Sequence, residues 1–399
     1  MKTMSVSKMS VSKKLLLAVC LLLVLLVAGV HVFVPAPVEN QFNKYQPHPA
    51  YTISESARSL HAELFVADLH SDSMLWKREF LDWGDRGHMD LPRLQAGNVG
   101  LQIFAATTKS PAGQNYQRNS ADSDNITLLS VAQLQPPSTW LSLYERAAWQ
   151  VAKLHDLEAA SGGSIQLVKN ASDLKAIAEA RKNGQDLMGA IFAIEGAHPL
   201  EGQLENLDRL QALGLRILGL THFFDNRLGG SLHGESQEGL TAFGRQVIER
   251  ANALNLIVDV AHASPQMVRD VLAIVKKPVI LSHGGIKSAC DNHRNLDDEI
   301  MKAIADSGGL LGVGYWEGAV CDITPEGIVK SIRAAINIMG LDHVALGSDY
   351  DGATTVAMDT SELAALTQAM MDAGFSEMEI RQVMGGNALT FFIKHLPAG

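Results

Sequence analysis

Eight short apolar runs, rich in β-branched residues, recur along the chain. They lie at 64–70, 99–105, 189–195, 215–222, 256–262, 278–283, 309–315 and 343–349. Several are apolar almost without interruption, which is typical of strands that are covered on both faces. Helical patterns separate the later runs, and one of them begins at a capping Ser264 followed by Pro265. This alternation predicts an α/β fold of the (β/α)8 TIM-like barrel type, with an open eight-stranded sheet as the alternative.

Ionisable residues stand at or just after the carboxyl end of six of the eight runs. They are His70, Asp72, Glu195, His222, His262, His283 and Asp349. For any one of them a structural role is the simpler explanation, because polar residues at strand ends commonly bond to nearby backbone. In a parallel barrel, however, all carboxyl ends meet at one face, and that face carries the active site. The shared position of these residues therefore predicts a single functional site.

The residue types at these strand ends indicate a metal centre. His70 and Asp72 are two positions apart, so in an extended chain both side chains point to the same side. Imidazole and carboxylate without nearby thiolate suit zinc, with manganese or cobalt as alternatives, and a carboxylate such as Glu195 can bridge two ions. His262 and His283, from neighbouring strands, would complete a second site. Such a positive centre would activate water and attract an anionic substrate, as in metal-dependent hydrolases.

The first part of the chain is a separate apolar segment. Residues 15–34 are almost entirely apolar and follow Lys2, Lys8, Lys13 and Lys14, with no acidic residue before Glu39. About 20 apolar residues span a bilayer, and basic residues mark its cytoplasmic side. We therefore expect a cytoplasmic basic segment at 1–14 and a transmembrane anchor or uncleaved signal at 15–34. The rest of the chain would lie on the periplasmic or extracellular side.

The exported part divides into a short linker and one large domain. Residues 35–60 are polar and contain prolines, which predicts a linker that runs into a first helix near Ser54. Residues 61–399 are predicted to form the catalytic barrel domain. The long stretch around 105–188, between the second and third strands, is predicted as an insertion that could cover the site.

Composition excludes some classes of protein and leaves one question open. The chain is 47% hydrophobic and 19% charged, as globular proteins are, and this excludes disorder and coiled coil. The net charge of -10, without a basic cluster that contains aromatic residues, argues against a nucleic-acid partner. Cys290 and Cys321 are the two cysteines of the exported part, and either a disulfide or two buried thiols would fit the sequence.

Eight sequence motifs resemble those of the membrane dipeptidases, also called renal dipeptidases, which are zinc peptidases with an amidohydrolase-like barrel. The matching stretches are DLHSD, HMDLPRLQAGNVGLQIFA, AIEGAHPL, LTHFFDN, GLTAFGRQVIERANALNLIVDVAHAS, LSHGGIKSACDNHRNLDDE, LGSDYDG and GGNALTFF. They run in the family's order from about residue 60 to 393. The resemblance implies an enzyme that hydrolyses free dipeptides, including those with a C-terminal D-residue, and it leaves a homodimer open.

The resemblance also implies a ligand role for five of the strand-end residues. His70 and Asp72 would bind one zinc ion, and His262 and His283 would bind the other. Glu195 and a hydroxide would bridge the two ions of each chain.

Further positions resemble the residues that handle the substrate in this family. Asp349 matches the acid/base residue that takes a proton from the bridging water and delivers it to the leaving amine. His222 matches the residue that stabilises the oxyanion, and Arg294 the arginine that binds the free carboxylate. Trp316 stands where mammalian members have a tyrosine, so we expect Trp316 and its neighbour Tyr315 to line the substrate site.

Two other functions are compatible with the sequence. A different barrel hydrolase, such as a lactonase or an N-acyl amino acid deacylase, would use the same metal ligands but would not recognise a free α-amino group. A non-catalytic binding protein on the same fold would be expected to lack a ligand or the acid/base residue. All five ligand positions and Asp349 are present, so the sequence favours a zinc dipeptidase.

Overall fold

The structure, a computed structural model, describes residues 10–399 and begins with one long helix. Lys2 and Lys8 of the predicted basic segment lie outside the described residues. The helix spans Val11–Phe33, and Ser10 caps it by accepting a hydrogen bond from the Lys13 amide. Its apolar side chains include Leu22, which is 68% exposed. The helix is long and apolar enough to cross a membrane.

Eight parallel strands form a closed barrel whose strand order follows the chain. We number them β1 (Val66–Asp68), β2 (Val99–Thr107), β3 (Met188–Glu195), β4 (Leu215–Gly219), β5 (Ile257–Asp259), β6 (Ile280–Gly284), β7 (Leu310–Val313) and β8 (Val344–Leu346). β8 pairs with β1 through Leu346 and Asp68, which closes the ring. Each predicted run overlaps one of these strands. The predicted barrel is therefore confirmed, and the open sheet is excluded.

Alternate residues of the barrel strands pack into two different apolar clusters. Ile103 and Ala105 of β2 belong to one cluster, whereas Phe104 and Ala106 belong to the other. Successive side chains of a strand point to opposite faces, and both faces of a parallel barrel are covered. The nearly continuous apolar sequence of β2 is explained by this double burial.

Helices alternate with the barrel strands, and several of them pack against the barrel. After the first helix they span Pro35–Phe42, Glu55–Ala62, Leu91–Ala96, Asn125–Ala132, Leu143–Ala160, Ala171–Lys182, Glu205–Leu213, Ala242–Ala253, Pro265–Leu272, Asp298–Asp306, Glu317–Val320, Pro325–Met339, Ala364–Asp372, Glu377–Arg381 and Asn387–His395. Ser54 caps Glu55–Ala62 by accepting a hydrogen bond from the Ala57 amide. Ser264 caps its helix in the same way, with Pro265 in the first turn, so the predicted start of that helix is confirmed.

Part of the segment predicted as a linker is a helix that is fixed to the barrel domain. Pro35–Phe42 is helical, and Glu39 within it is 1% exposed. Its carboxylate accepts hydrogen bonds from Arg78 Nη1 at 2.9 Å and from Arg86 Nε at 2.8 Å. The sequence suggested a linker because the segment is polar and contains prolines. Its ionic partners lie 39 and 47 positions further along the chain, where no local pattern reveals them.

The chain between β2 and β3 forms an insertion with three helices. They are Asn125–Ala132, Leu143–Ala160 and Ala171–Lys182, and the short strand Ile165–Leu167 pairs with the start of β3. Arg146 of the second helix is almost fully buried and holds the start of the insertion together. It donates hydrogen bonds to the Thr108 carbonyl at 2.7 Å and to the Asp124 carboxylate at 2.6 Å.

Candidate metal centre and active site

The ionisable side chains at the strand ends come together at the carboxyl face of the barrel. The set comprises His70, Asp72, Glu195, His222, His262, His283 and Asp349, and none of these residues is more than 8% exposed. Buried charged groups are costly unless they are paired or bind metal ions. The three buried carboxylates among them, Asp72, Glu195 and Asp349, therefore need a cationic partner.

Glu195, at the end of β3, lies at the centre of this cluster. Its Oε1 is 3.5 Å from His70 Nε2, 3.1 Å from His262 Nε2 and 3.3 Å from His283 Nε2. Its Oε2 is 3.4 Å from His222 Nε2. One carboxylate thus faces four imidazole nitrogens, which is a suitable arrangement for a carboxylate that bridges two cations.

Two more carboxylates lie beside His70. His70 Nε2 is 3.6 Å from Asp72 Oδ2 and 3.9 Å from Asp349 Oδ1. Thr107, the last residue of β2, has its Oγ1 2.5 Å from Asp72 Oδ1 and 2.6 Å from Glu195 Oε2. Its single hydroxyl hydrogen can be donated to only one of these two carboxylates at a time. Thr107 was missed in the sequence, although its place just past a predicted strand end could have indicated it.

Within residues 10–399, three groups of side chains bring their ligand atoms within 4.8 Å of one another. The groups are His70 with Glu195 and His283, Glu195 with His222 and His262, and His70 with Asp72 and Asp349. They share His70 and Glu195, so they describe neighbouring cation positions rather than separate sites. His70 Nε2 is buried and has no hydrogen-bond partner among the described residues. An unpaired buried nitrogen of this kind is rare, and a metal ion would satisfy it.

The carboxylates and imidazoles shift one another's pKa values strongly. Burial raises the pKa of Asp72 and raises that of Asp349 well above its usual range. Burial also opposes the ionised form of Glu195, but His222 and His70 outweigh it and lower the pKa of Glu195 to about 2. Burial alone would lower the pKa of His70, but the charges of Glu195 and Asp72 outweigh it and raise the pKa to about 10. The centre requires positive charge, and divalent cations would supply it.

The imidazoles of His262 and His283 are held in the neutral form that binds metal ions. Burial lowers the pKa of both rings well below the usual value. Ser282 Oγ lies 2.9 Å from His283 Nδ1 and 3.2 Å from His70 Nδ1, so the Nε2 atoms of those rings face Glu195. Ser282 was missed in the sequence, although it directly precedes a predicted ligand.

Backbone conformations at two strand ends direct side chains into the site. His262 has a φ of 61° and Asp349 a φ of 58°, in the left-handed region that costs a non-glycine residue on the order of 1 kcal/mol or more. Gly352 lies against the turn that contains Asp349. A side chain at position 352 would collide with the carboxylates of Asp349 and Asp72. Strained residues of this kind are concentrated at functional sites.

A polar cavity of about 210 Å³ opens onto the cluster. Arg294, Trp316 and Tyr116 contribute to the part of its wall that lies beyond the strand ends. Arg294 is 2% exposed and donates a hydrogen bond to the His283 carbonyl at 2.8 Å. Its guanidinium lies 5.4 Å from the Trp316 ring centroid, and Trp316 Nε1 donates to the Tyr116 hydroxyl at 3.0 Å. Tyr116 comes from the insertion and was not among the predicted site residues.

Tyr315 and Trp316, both expected to line the substrate site, differ in position. Trp316 lines the polar cavity. The Tyr315 ring packs edge-on against Tyr350, and among residues 10–399 its hydroxyl has no hydrogen-bond partner. Tyr315 is fully buried and lies away from the described wall of the cavity.

A disulfide joins the loop that carries Arg294 to the loop after β7. Cys290 and Cys321 are bonded to each other, which settles the question left open by the sequence. Asn295, next to Arg294, donates hydrogen bonds to the Cys290 carbonyl at 3.0 Å and to the Ala319 carbonyl at 2.9 Å. The guanidinium is therefore presented from a doubly anchored loop.

Comparison with known proteins adds independent evidence. Residues 54–394 match the family model of the membrane dipeptidases, peptidase family M19. A Klebsiella pneumoniae protein described as "Uncharacterized protein in pqqA 5'region" is 32% identical over 255 residues, which are 60% of this chain and 92% of that protein. Dipeptidase 3 of Mus musculus is 25% identical over 371 residues, 85% of this chain, but the match spans only 66% of the mouse protein.

A similar fold is found among solved structures. One is a metallo peptidase from Rhodobacter sphaeroides, in complex with a phosphinate mimic of the dipeptide L-Ala-D-Ala. It superimposes with a TM-score of 0.67 at 22% identity, over 84% of this chain and 99% of that chain. At this level of identity the likeness concerns the fold.

Proposed function

The chain belongs to the membrane dipeptidase family, peptidase family M19, and on this premise we propose that it hydrolyses free dipeptides with two zinc ions. The enzyme class, a metallo-dipeptidase, follows from the family match over residues 54–394. One observation carries the finer proposal: four imidazole Nε2 atoms converge on the two oxygens of Glu195 at 3.1–3.5 Å.

The residues present fit two divalent ions. We assign His70 and Asp72 to one ion, His262 and His283 to the other, and Glu195 to both as the bridging ligand. Imidazoles and carboxylates without thiolate suit zinc, and the excess of buried carboxylates supports cations in this place. When bound, the ions would supply an activated water at neutral pH and polarise the substrate carbonyl.

Asp349 is the proposed acid/base residue. It lines the polar cavity, and its Oδ1 is 3.9 Å from His70 Nε2, next to the proposed ligands. Burial raises its pKa well above the usual range, so this carboxyl can hold a proton that an exposed aspartate would release. Its role would be to accept the proton of the attacking water and deliver it to the leaving amine.

His222 is the proposed oxyanion donor. Its Nδ1 is 3.2 Å from the Lys109 carbonyl, which accepts a hydrogen bond from this nitrogen. With a hydrogen on both ring nitrogens, as in the imidazolium form, its Nε2, which faces Glu195 and lines the cavity, would donate to the oxygen that gains charge in the transition state.

Arg294 is the proposed carboxylate site. Its planar guanidinium can pair with both oxygens of a carboxylate, and its place in the cavity wall selects a carboxyl one residue beyond the bond that is cut. The Rhodobacter sphaeroides protein bound to a mimic of L-Ala-D-Ala supports the inclusion of a C-terminal D-residue among the substrates.

We also propose how the chain is placed in the cell. Residues 1–14 would be cytoplasmic, 15–34 would anchor the chain in the membrane, and the barrel domain of 61–399 would lie on the periplasmic or extracellular side. The helix Val11–Phe33 is apolar enough to span a bilayer, and the disulfide suits an oxidising compartment. A homodimer is proposed on the family resemblance, and the mass of the detergent-solubilised protein would test it.

The test of the proposed function is the hydrolysis of a small panel of substrates by the full chain in detergent. The panel contains L-Ala-L-Ala, L-Ala-D-Ala and the N-acetylated form of each. We expect free dipeptides to be cleaved, with activity lost in chelator and restored by zinc. Asp349→Asn should lower kcat by a factor on the order of 10² to 10⁴ without changing the metal content.

Two results would contradict the proposal in different ways. Equal cleavage of the N-acetylated compounds would indicate a deacylase. A protein that holds two metal ions per chain and cleaves nothing in the panel would contradict dipeptide hydrolysis altogether.

A further inference from the structure

A second, apolar cavity of about 430 Å³ adjoins the polar one. The two cavities share Asp72, Glu195 and His222, so both open onto the metal centre. The apolar part of the second wall consists of Val38, Phe42, Leu75, Trp76, Ile126 and Leu129. An apolar cavity beside convergent polar groups is the usual form of a ligand pocket.

The apolar wall is a small cluster separate from the barrel core. Leu75, Trp76 and Ile126 are buried together, and Val38 and Leu129 pack against them. A cluster under a long insertion commonly serves only packing. This one leaves a cavity, and an apolar cavity of roughly 150 Å³ already accommodates a benzene molecule.

Two residues of this wall come from a part of the chain that the family match does not include. Val38 and Phe42 belong to the helix Pro35–Phe42, whereas the match begins at residue 54. This helix follows the apolar helix Val11–Phe33, with only Val34 between them. Phe42 is 46% exposed, which places part of its ring at the edge of the cavity.

The helix is held in place by a buried ionic network. Glu39 pairs with Arg78 and Arg86, and Arg78 pairs in turn with Asp351. Glu39 and Asp351 are both almost completely buried. The network therefore links Val38 and Phe42 to the loop that carries the proposed acid/base residue.

Hydrogen bonds hold the residues just after this helix to that loop. The Asn43 side chain accepts a hydrogen bond from the Ala353 amide at 2.9 Å. Lys44–Tyr45 then pairs as a parallel strand with Thr355–Val356. The segment after the anchor is thus a fixed wall of the site.

The direction of a bound dipeptide follows from the two cavities. Arg294 lines the polar cavity, whereas the described wall of the apolar cavity does not include it. With the substrate carboxylate at Arg294 and the peptide bond over the metal centre, the amino-terminal residue lies towards the apolar cavity. Adjacent Cα atoms are about 3.8 Å apart, so the two residues of a dipeptide occupy neighbouring cavities.

We propose that the apolar cavity binds the side chain of the amino-terminal residue, and that the enzyme therefore prefers dipeptides with a large apolar residue at that position. In this proposal the helix Pro35–Phe42 is part of the substrate site. The inference rests on the proposed dipeptidase function and names the substrate class within it.

The experiment compares kcat/KM for L-Phe-L-Ala and L-Ala-L-Ala, measured with the full chain in detergent. The wild-type enzyme should favour L-Phe-L-Ala. Val38→Trp fills the cavity, and we expect it to lower the ratio of the two values by about tenfold. Phe42→Ala removes an edge of the pocket and should lower the ratio by about threefold.

Leu141→Trp is the matched control. Leu141 belongs to the insertion, is 92% exposed and is absent from the described walls of both cavities, so the ratio should not change. Zinc content and the thermal midpoint are measured for each variant to show whether it is folded. If one of the two cavity variants is misfolded, the ratio measured with the other one tests the inference.

The outcomes separate this inference from the proposed function. If both dipeptides are cleaved but neither Val38→Trp nor Phe42→Ala changes the ratio, the inference is overturned and the dipeptidase function stands. If neither dipeptide is cleaved by the zinc-loaded wild-type chain, the proposed function fails and this inference fails with it.

Discussion

Replacement of Ser282 by alanine would measure how much the orientation of the imidazoles contributes to metal binding. Ser282 Oγ contacts Nδ1 of His283 at 2.9 Å and Nδ1 of His70 at 3.2 Å, and we assign these rings to different ions. Ser282 is 1% exposed, so water cannot readily replace the lost hydroxyl. Alanine removes both contacts and leaves the rings free to rotate or to change tautomer.

The expected magnitude follows from the two hydrogen bonds. A hydrogen bond between neutral groups contributes about 1 kcal/mol net, so the pair contributes about 2 kcal/mol. Because about 1.4 kcal/mol corresponds to a factor of ten, the product of the two zinc affinities should fall by about 30-fold. This lies within the range of roughly 10- to 100-fold that is typical when a hydrogen-bond partner of a metal ligand is lost. The shorter contact, to His283, should account for the larger share.

Competition with a chromophoric zinc chelator, at constant pH and with the full chain in detergent, measures both affinities. Ser130→Ala is the control, since Ser130 is also a buried serine and its hydroxyl has no hydrogen-bond partner among residues 10–399. Only Ser282→Ala should bind zinc more weakly. If its affinities stay within about twofold of wild type, the hydroxyl does not orient the ligands and the argument is refuted.

Further perturbations test the substrate site and the stability of the fold. Arg294→Lys should raise KM for free dipeptides about 10- to 100-fold, because an ammonium group cannot pair with both carboxylate oxygens; steady-state kinetics measure this, and an unchanged KM would mean that the carboxylate binds elsewhere. His61 is buried between Thr367 and the Gly97 carbonyl, and burial lowers its pKa. The unfolded chain therefore binds more protons, and this part of the stability is lost as pH falls below the ordinary value of 6.5. The thermal midpoint of His61→Gln should thus fall less than that of wild type between about pH 7.5 and about pH 5.5, and an equal fall would contradict the reasoning.

The barrel and the position of its active face could be predicted because both depend on local sequence patterns. Apolar continuity marks a strand that is buried on both faces, and a parallel barrel brings all carboxyl ends together. The strand-end residues from His70 to Asp349 therefore indicate one site from the sequence alone. Their proposed roles came from the resemblance to a family, since a strand-end position alone does not distinguish a ligand from an acid/base residue.

The residues that orient the site could not be predicted, because their contacts join distant parts of the chain. Ser282 reaches a ring 212 positions away, and Tyr116 reaches Trp316 across 200 positions. Tyr315 and Trp316 are neighbours in sequence, yet one packs against Tyr350 and the other lines the cavity. Which of two adjacent side chains faces a site depends on how the loop packs.

The helix Pro35–Phe42 shows the same division most clearly. Its sequence has the polar, proline-containing character of a linker, and by itself determined only that the segment follows an apolar anchor. The tertiary structure decided that Glu39 is buried against Arg78 and Arg86, which turns the segment into a wall beside the metal centre. Local patterns determine strands and helices, whereas a buried ion pair requires partners that only the folded chain brings together.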